Sequence, residues 1–235
     1  ETGTVLLEKD SDIPVPPASL SKLMTSYMVF EEIKNGGLAL EDLVPVSEKA
    51  WRMGGSKMFV EVGDQVSVED LLRGVIVQSG NDACIVLAET ISGSESAFSD
   101  LMTDKARKMG MSNSTFINAT GWPDPEHKMS ARDTALLTQR IIMDFPEFLP
   151  LFSEKEFTYN GIRQGNRNPL LYKNIGVDGM KTGHTKEAGY GLAATATRHD
   201  RRLILILTGL DSAQQRAVEG ERIFDYGFRK FNNYA

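Results

Sequence analysis

Apolar residues recurring at three- and four-residue spacing predict helices from Ser19 to Gly36, Ser67 to Ser79, Asp82 to Ile91, Ser96 to Lys108, Ala131 to Met143 and about Ser212 to Phe231. Gly36-Gly37 and Gly110 end two of them, and Ser67-Val68-Glu69-Asp70 opens another with an acidic capping signal. Shorter apolar stretches at Thr4 to Glu8, Val177 to Thr182, Gly191 to Thr197 and Arg202 to Gly209 read as strands, and residues around Glu156 to Arg163 as a hairpin. Residues 40–64 are irregular, with a turn at Gly54-Gly55-Ser56, and residues 115–130 form a loop rich in turn residues.

Turns of only a few residues join the late strands. They therefore pair antiparallel, because parallel strands need long crossovers. The helices gather in the middle of the chain, so the expected fold is mixed α/β of the α+β kind: an antiparallel sheet flanked by helices. The terminal helix covers one face, and a helical subdomain of roughly residues 19–152 covers the other. A strand at Thr4 to Glu8 implies a partner strand just upstream. The 235 residues fit one domain, 1–235, without repeats or linkers.

Candidate chemistry begins at Pro17-Ala18-Ser19-Leu20-Ser21-Lys22, which runs into the first helix. Residues three apart on a helix are neighbours on one face, so Ser19 and Lys22 can meet. A serine hydroxyl needs a base against it, and a lysine serves only if its pKa of about 10.4 falls toward about 7 to 8. The positive end of the helix and partial burial among Leu23, Met24, Val29 and Phe30 both favour that fall. About one S-x-x-K is expected by chance in a chain of this length. Here, however, it is followed in order by Ser79-Gly80-Asn81 and Lys181-Thr182-Gly183.

That trio is the signature of class A β-lactamases and penicillin-binding proteins. With the flanking Ala18 to Thr25, Gln78 to Ala83, Asn166-Arg167-Asn168 and Val177 to Thr185, nearly the whole chain resembles the low-molecular-mass penicillin-binding proteins, serine D-Ala-D-Ala carboxypeptidases of the peptidase S11 family. The resemblance implies a β-lactamase/transpeptidase-like fold and removal of the terminal D-Ala from peptidoglycan stem peptides through an acyl-enzyme on Ser19. It implies β-lactam antibiotics as covalent inhibitors, and a place in the periplasm or otherwise outside the cytoplasmic membrane. It also implies a small C-terminal β domain and a membrane anchor beyond Ala235, so that membrane contact would come only through segments absent here.

The resemblance assigns roles residue by residue. Ser19 is the nucleophile, Lys22 its base, and Ser79 a proton relay to the leaving amine. Asn81 binds the substrate amide and holds Lys22. The N–H groups of Ser19 and His184 form the oxyanion hole. Lys181 supplies positive charge that lowers the pKa of Lys22 and attracts the substrate carboxylate, and Thr182, Gly183, His184 and Thr185 line the same strand. Arg216 binds the carboxylate, and Asp133 and Arg167 pair to buttress a loop.

The remaining features exclude other classes. Net charge is −6, with no basic run interleaved with aromatics, so nucleic acid is not an expected partner. The lone Cys84 reads as a small buried hydrophobe. Three scattered histidines without ligand spacing predict no metal and no cofactor; His127 and His199 read as surface residues. A class A-like β-lactamase would carry S-D-N and a deacylating glutamate, and no E-x-x-L-N follows Ser79. DD-endopeptidase action on cross-links and a non-enzymatic β-lactam- or peptidoglycan-sensing domain remain as alternatives.

Overall fold

The computed structural model describes residues 2–232. A 3-10 turn, Ala18–Ser21, leads directly into helix α1 (Lys22–Lys34). Strand β1 (Leu43–Pro45), helix α2 (Glu48–Arg52) and strand β2 (Gln65–Ser67) follow, with β1 and β2 paired antiparallel. Four helices complete the block: α3 (Val68–Ile76), α4 (Asn81–Ser92), α5 (Glu95–Lys108) and α6 (Ala131–Asp144). Ser47, Ser67, Ser94 and Ser130 each accept the N–H three residues on, starting α2, α3, α5 and α6. The stretch Asn81–Ala88 of α4 is buried throughout, so this helix forms the axis around which the block packs.

Helix α7 (Leu149–Ser153) leads into the hairpin β3 (Glu156–Tyr159) and β4 (Ile162–Gly165). Strands β5 (Val177–Thr185), β6 (Gly189–Arg198) and β7 (Arg201–Leu210) form the antiparallel sheet, and helix α8 (Ala213–Lys230) closes the order. Side chains alternate across the sheet. Leu192, Ala194 and Ala196 of β6, with Leu203, Leu205 and Leu207 of β7, pack on Phe224 of α8 and on Leu170. Ala193 and Ile206 face the opposite way and join the core of the helical block. The sheet is thus covered on both faces, as the pattern of the chain predicts.

Two expectations change. Residues 4–8 form no strand, and Val5 and Leu7 are exposed; among the described residues no strand pairs with them. The short α2 lies within residues 40–64, where the sequence carries no helical period long enough to reveal it.

Candidate active site

The 3-10 turn places Ser19 one turn before Lys22. Lys22 is 1% exposed, and its Nζ lies 2.9 Å from Ser19 Oγ, 2.7 Å from Asn81 Oδ1 and 2.6 Å from the Thr120 carbonyl. Asn81 donates its Nδ2 to the Gly54 carbonyl at 2.9 Å, which fixes Oδ1 as the atom facing the lysine. Two of the three partners of Nζ can therefore only accept. When the amine is neutral, its two N–H bonds go to them, and its lone pair is left facing the Ser19 hydroxyl. That is the orientation a general base requires.

The Lys22 pKa is lowered to about 8. Burial is the leading cause; the Arg167 guanidinium adds repulsion, and the Asp82 carboxylate opposes the shift. The pKa of Lys181 is held well below the ordinary lysine range by burial first and then by Lys22, Arg167 and Arg216. Burial, one of the two causes expected from the sequence, is thus the leading cause at Lys22, and Lys181 is not among the groups that shift it.

Lys181 is buried, and its Nζ donates to Ser79 Oγ at 2.9 Å and to the Thr182 carbonyl at 3.1 Å. Alternation along β5 puts Lys181 and Gly183 on one face, with Gly183 against the Ala18–Ser21 turn. A Cβ on Gly183 would lie 2.9 Å from the Pro17 carbonyl and 3.2 Å from the N–H nitrogens of Ser19 and Leu20, so only glycine lets the strand come this close. Thr182 is buried beside it, and His184 is exposed at the rim. Ala18 and Ser79 both have left-handed backbone, with φ of 48° and 61°, a conformation that costs energy and is held by the surrounding packing.

Several supporting residues were not legible in the motifs. Asn118 Oδ1 accepts the N–H groups of Thr120, Gly121 and Trp122, which shapes the loop that delivers the Thr120 carbonyl to Lys22. Gly121 has φ 80°, and a Cβ there would fall 1.9 Å from the Ala18 carbonyl oxygen, so this loop is pressed against the Ala18–Ser21 turn. The buried Asp82 accepts from the N–H groups of Met58, Phe59, Val60 and Ala83.

His127 is not a surface residue. It is 1% exposed, and Nε2 lies 2.8 Å from Ser21 Oγ. Because Nδ1 accepts from the Ile117 N–H, Nε2 carries the proton and donates to Ser21. Burial pushes its pKa down to about 4. Asp133 and Arg167 do not pair: Asp133 accepts from Ser114 and from the Asn113 N–H, whereas Arg167 donates to Ser56. Cys84 is buried as expected, and burial raises its pKa to about 12. No cluster able to hold a metal occurs among the described residues.

The antiparallel sheet under a helical block, with the S-x-x-K, S-x-N and K-T-G residues meeting at its edge, is the architecture of the β-lactamase-like DD-peptidases and transpeptidases. The chain belongs to the peptidase S11 family of D-alanyl-D-alanine carboxypeptidases, whose model matches residues 1–212. It is 47% identical to the D-alanyl-D-alanine carboxypeptidase DacC of Escherichia coli (strain K12), over 98% of this chain and 59% of that protein. Its fold matches penicillin binding protein 5 from Haemophilus influenzae, with a TM-score of 0.93, 45% identity and coverage of 96% of this chain and 67% of that one. It also matches penicillin-binding protein D2 from Listeria monocytogenes in the ampicillin-bound form, with a TM-score of 0.87, 32% identity and coverage of 96% and 93%. The chain spans about three fifths of the length of the curated relatives it matches.

Proposed function

We propose that this chain is the catalytic unit of a serine DD-carboxypeptidase that removes the terminal D-Ala from peptidoglycan stem peptides. The observation that carries the reading is Lys22 Nζ 2.9 Å from Ser19 Oγ, with the acceptors Asn81 Oδ1 and the Thr120 carbonyl taking its other two directions. Ser19 Oγ attacks the carbonyl of the D-Ala-D-Ala bond while its proton passes to Lys22 Nζ. The oxyanion is stabilised by the N–H groups of Ser19 and His184. The C–N bond then breaks, and the proton reaches the departing amine through Ser79, whose hydroxyl both donates and accepts and is held by Lys181. Free D-Ala leaves, and water hydrolyses the ester. Lys181, Thr182 and Arg216 bind the terminal carboxylate, and Asn81 the amide on the acyl side.

β-Lactams acylate Ser19 in this scheme and leave slowly. Slow release is expected because the sequence lacks the E-x-x-L-N glutamate with which class A β-lactamases deacylate. Residues 1–235 act as one catalytic domain. The protein works outside the cytoplasmic membrane, where peptidoglycan is. Among the described residues no helix is long and apolar enough to cross it.

D-alanine release from a diacyl-Lys-D-Ala-D-Ala peptide tests the reading. Release is expected from the native protein and should disappear both in Ser19→Ala and after penicillin pretreatment. Penicillin bound covalently at Ser19 without any D-Ala release would overturn it in favour of an endopeptidase or a sensor.

The lowered lysine sets the pH dependence. Only neutral Lys22 accepts the serine proton, so the second-order rate of acylation by penicillin should rise about tenfold per pH unit below about 8 and level off above it. An acidic limb lying near pH 10, where an ordinary lysine titrates, would remove Lys22 from the role of base.

A further inference from the structure

Tyr190 joins two side chains at the carboxylate end of the site. It stands directly opposite His184 across β5 and β6, and the two rings stack with centroids 3.9 Å apart and planes 29° apart. The guanidinium carbon of Arg216 lies over the same ring, 5.6 Å from its centroid. Arg216 comes from the first turn of α8, an element distant in sequence from the β5–β6 hairpin.

The surroundings of Arg216 are otherwise poor in partners. It is 8% exposed, its Nε is buried without a hydrogen-bond partner, and its Nη2 makes one long contact of 3.5 Å with the Arg167 carbonyl. No carboxylate pairs with it among the described residues, and the first turn of α8 holds no acidic residue. The positive end of a helix is an unfavourable place for a cation, and a buried guanidinium is costly unless something answers its charge. The electron-rich face of Tyr190 is what answers it here.

We propose that Tyr190 is a positioning residue for carboxylate recognition: its ring holds the Arg216 guanidinium ready for the terminal carboxylate of the substrate. The inference rests on Arg216 being the carboxylate-binding group. The physical gain is preorganisation. An arginine has many rotamers to lose on binding an anion, and one already seated on an aromatic face loses fewer. Tyrosine suits the task because its place in the β5–β6 register is set by the backbone and only two side-chain torsions remain free.

The test compares kcat and KM on diacyl-Lys-D-Ala-D-Ala as the free acid and as its C-terminal amide. Four variants are needed: Tyr190→Phe, Tyr190→Leu, Arg216→Ala and the Tyr190→Leu/Arg216→Ala double variant. Tyr190→Leu keeps apolar bulk but removes the aromatic face. It is expected to raise KM for the free acid about tenfold, with kcat changed less than twofold and the amide unaffected. Tyr190→Phe should behave as the native protein, and the double variant should be no worse than Arg216→Ala alone. A Tyr190→Leu protein that loses kcat equally on both peptides, or that adds its full effect to Arg216→Ala, would overturn the proposal and leave Tyr190 a packing residue. Failure of the underlying reading looks different: Arg216→Ala would then not distinguish acid from amide at all, and the role of Tyr190 would fall with it.

Discussion

Replacement of Lys22 by alanine is expected to slow acylation of Ser19 by about a thousandfold or more, whether the acyl donor is penicillin or peptide. The size of the effect follows from the geometry. Lys22 Nζ is the basic atom bonded to Ser19 Oγ, and Asn81 Oδ1 and the Thr120 carbonyl are acceptors that leave the amine no other direction for its lone pair. The fold should survive. Two acceptors lose a donor, which costs about 1–3 kcal/mol each at most, but a buried amine that resists its own charge is lost with it. The time course of covalent penicillin adducts by mass spectrometry, paired with a melting curve, checks both halves. Wild-type adduct formation in a folded Lys22→Ala protein would remove the lysine from the mechanism.

The second large effect concerns stability. Asp82→Ala should cost about 3–5 kcal/mol, because the N–H groups of Met58, Phe59 and Val60 lose their acceptor inside the protein and Ala83 loses its cap. For a chain of this size that corresponds to a melting temperature lower by about 10 °C. Activity should fall as well, since Asp82 directly follows Asn81 and ties residues 58–60 to the start of α4. Asp82→Asn, which keeps one acceptor oxygen, should recover part of the loss. A melting temperature within about 2 °C of native for Asp82→Ala would mean that these N–H groups find other partners and that the carboxylate is not the tie.

Asp82 also illustrates where reading the chain in one dimension stops. The aspartate is visible beside the S-x-N motif, but its three acceptor bonds to residues 58–60 span more than 20 positions, and nothing in the local pattern points to them. His127 is the sharper case. It sits among turn residues and looks like a surface group, yet it donates to Ser21 across 106 positions. Asp133 and Arg167 were expected to pair and instead satisfy different neighbours, because each lies closer to a hydroxyl of its own surroundings than to the other. The Thr120 carbonyl is a backbone atom, and any residue type could have supplied it.

Ser19 meeting Lys22, the cap at Ser67 and the antiparallel late strands were all legible in the order of residues. Each depends on neighbours within a helical turn, a strand repeat or a short connection, and such local geometry is dictated by backbone dihedrals. The distances that bring Ser19, Lys22, Asn81, Ser79 and Lys181 together at one sheet edge, the extent of the burial that lowers the Lys22 pKa, and the seating of Arg216 on Tyr190 came only with the packed structure. They require segments tens to more than a hundred residues apart to be brought together and desolvated, and that is the work of the core as a whole rather than of any stretch of the chain.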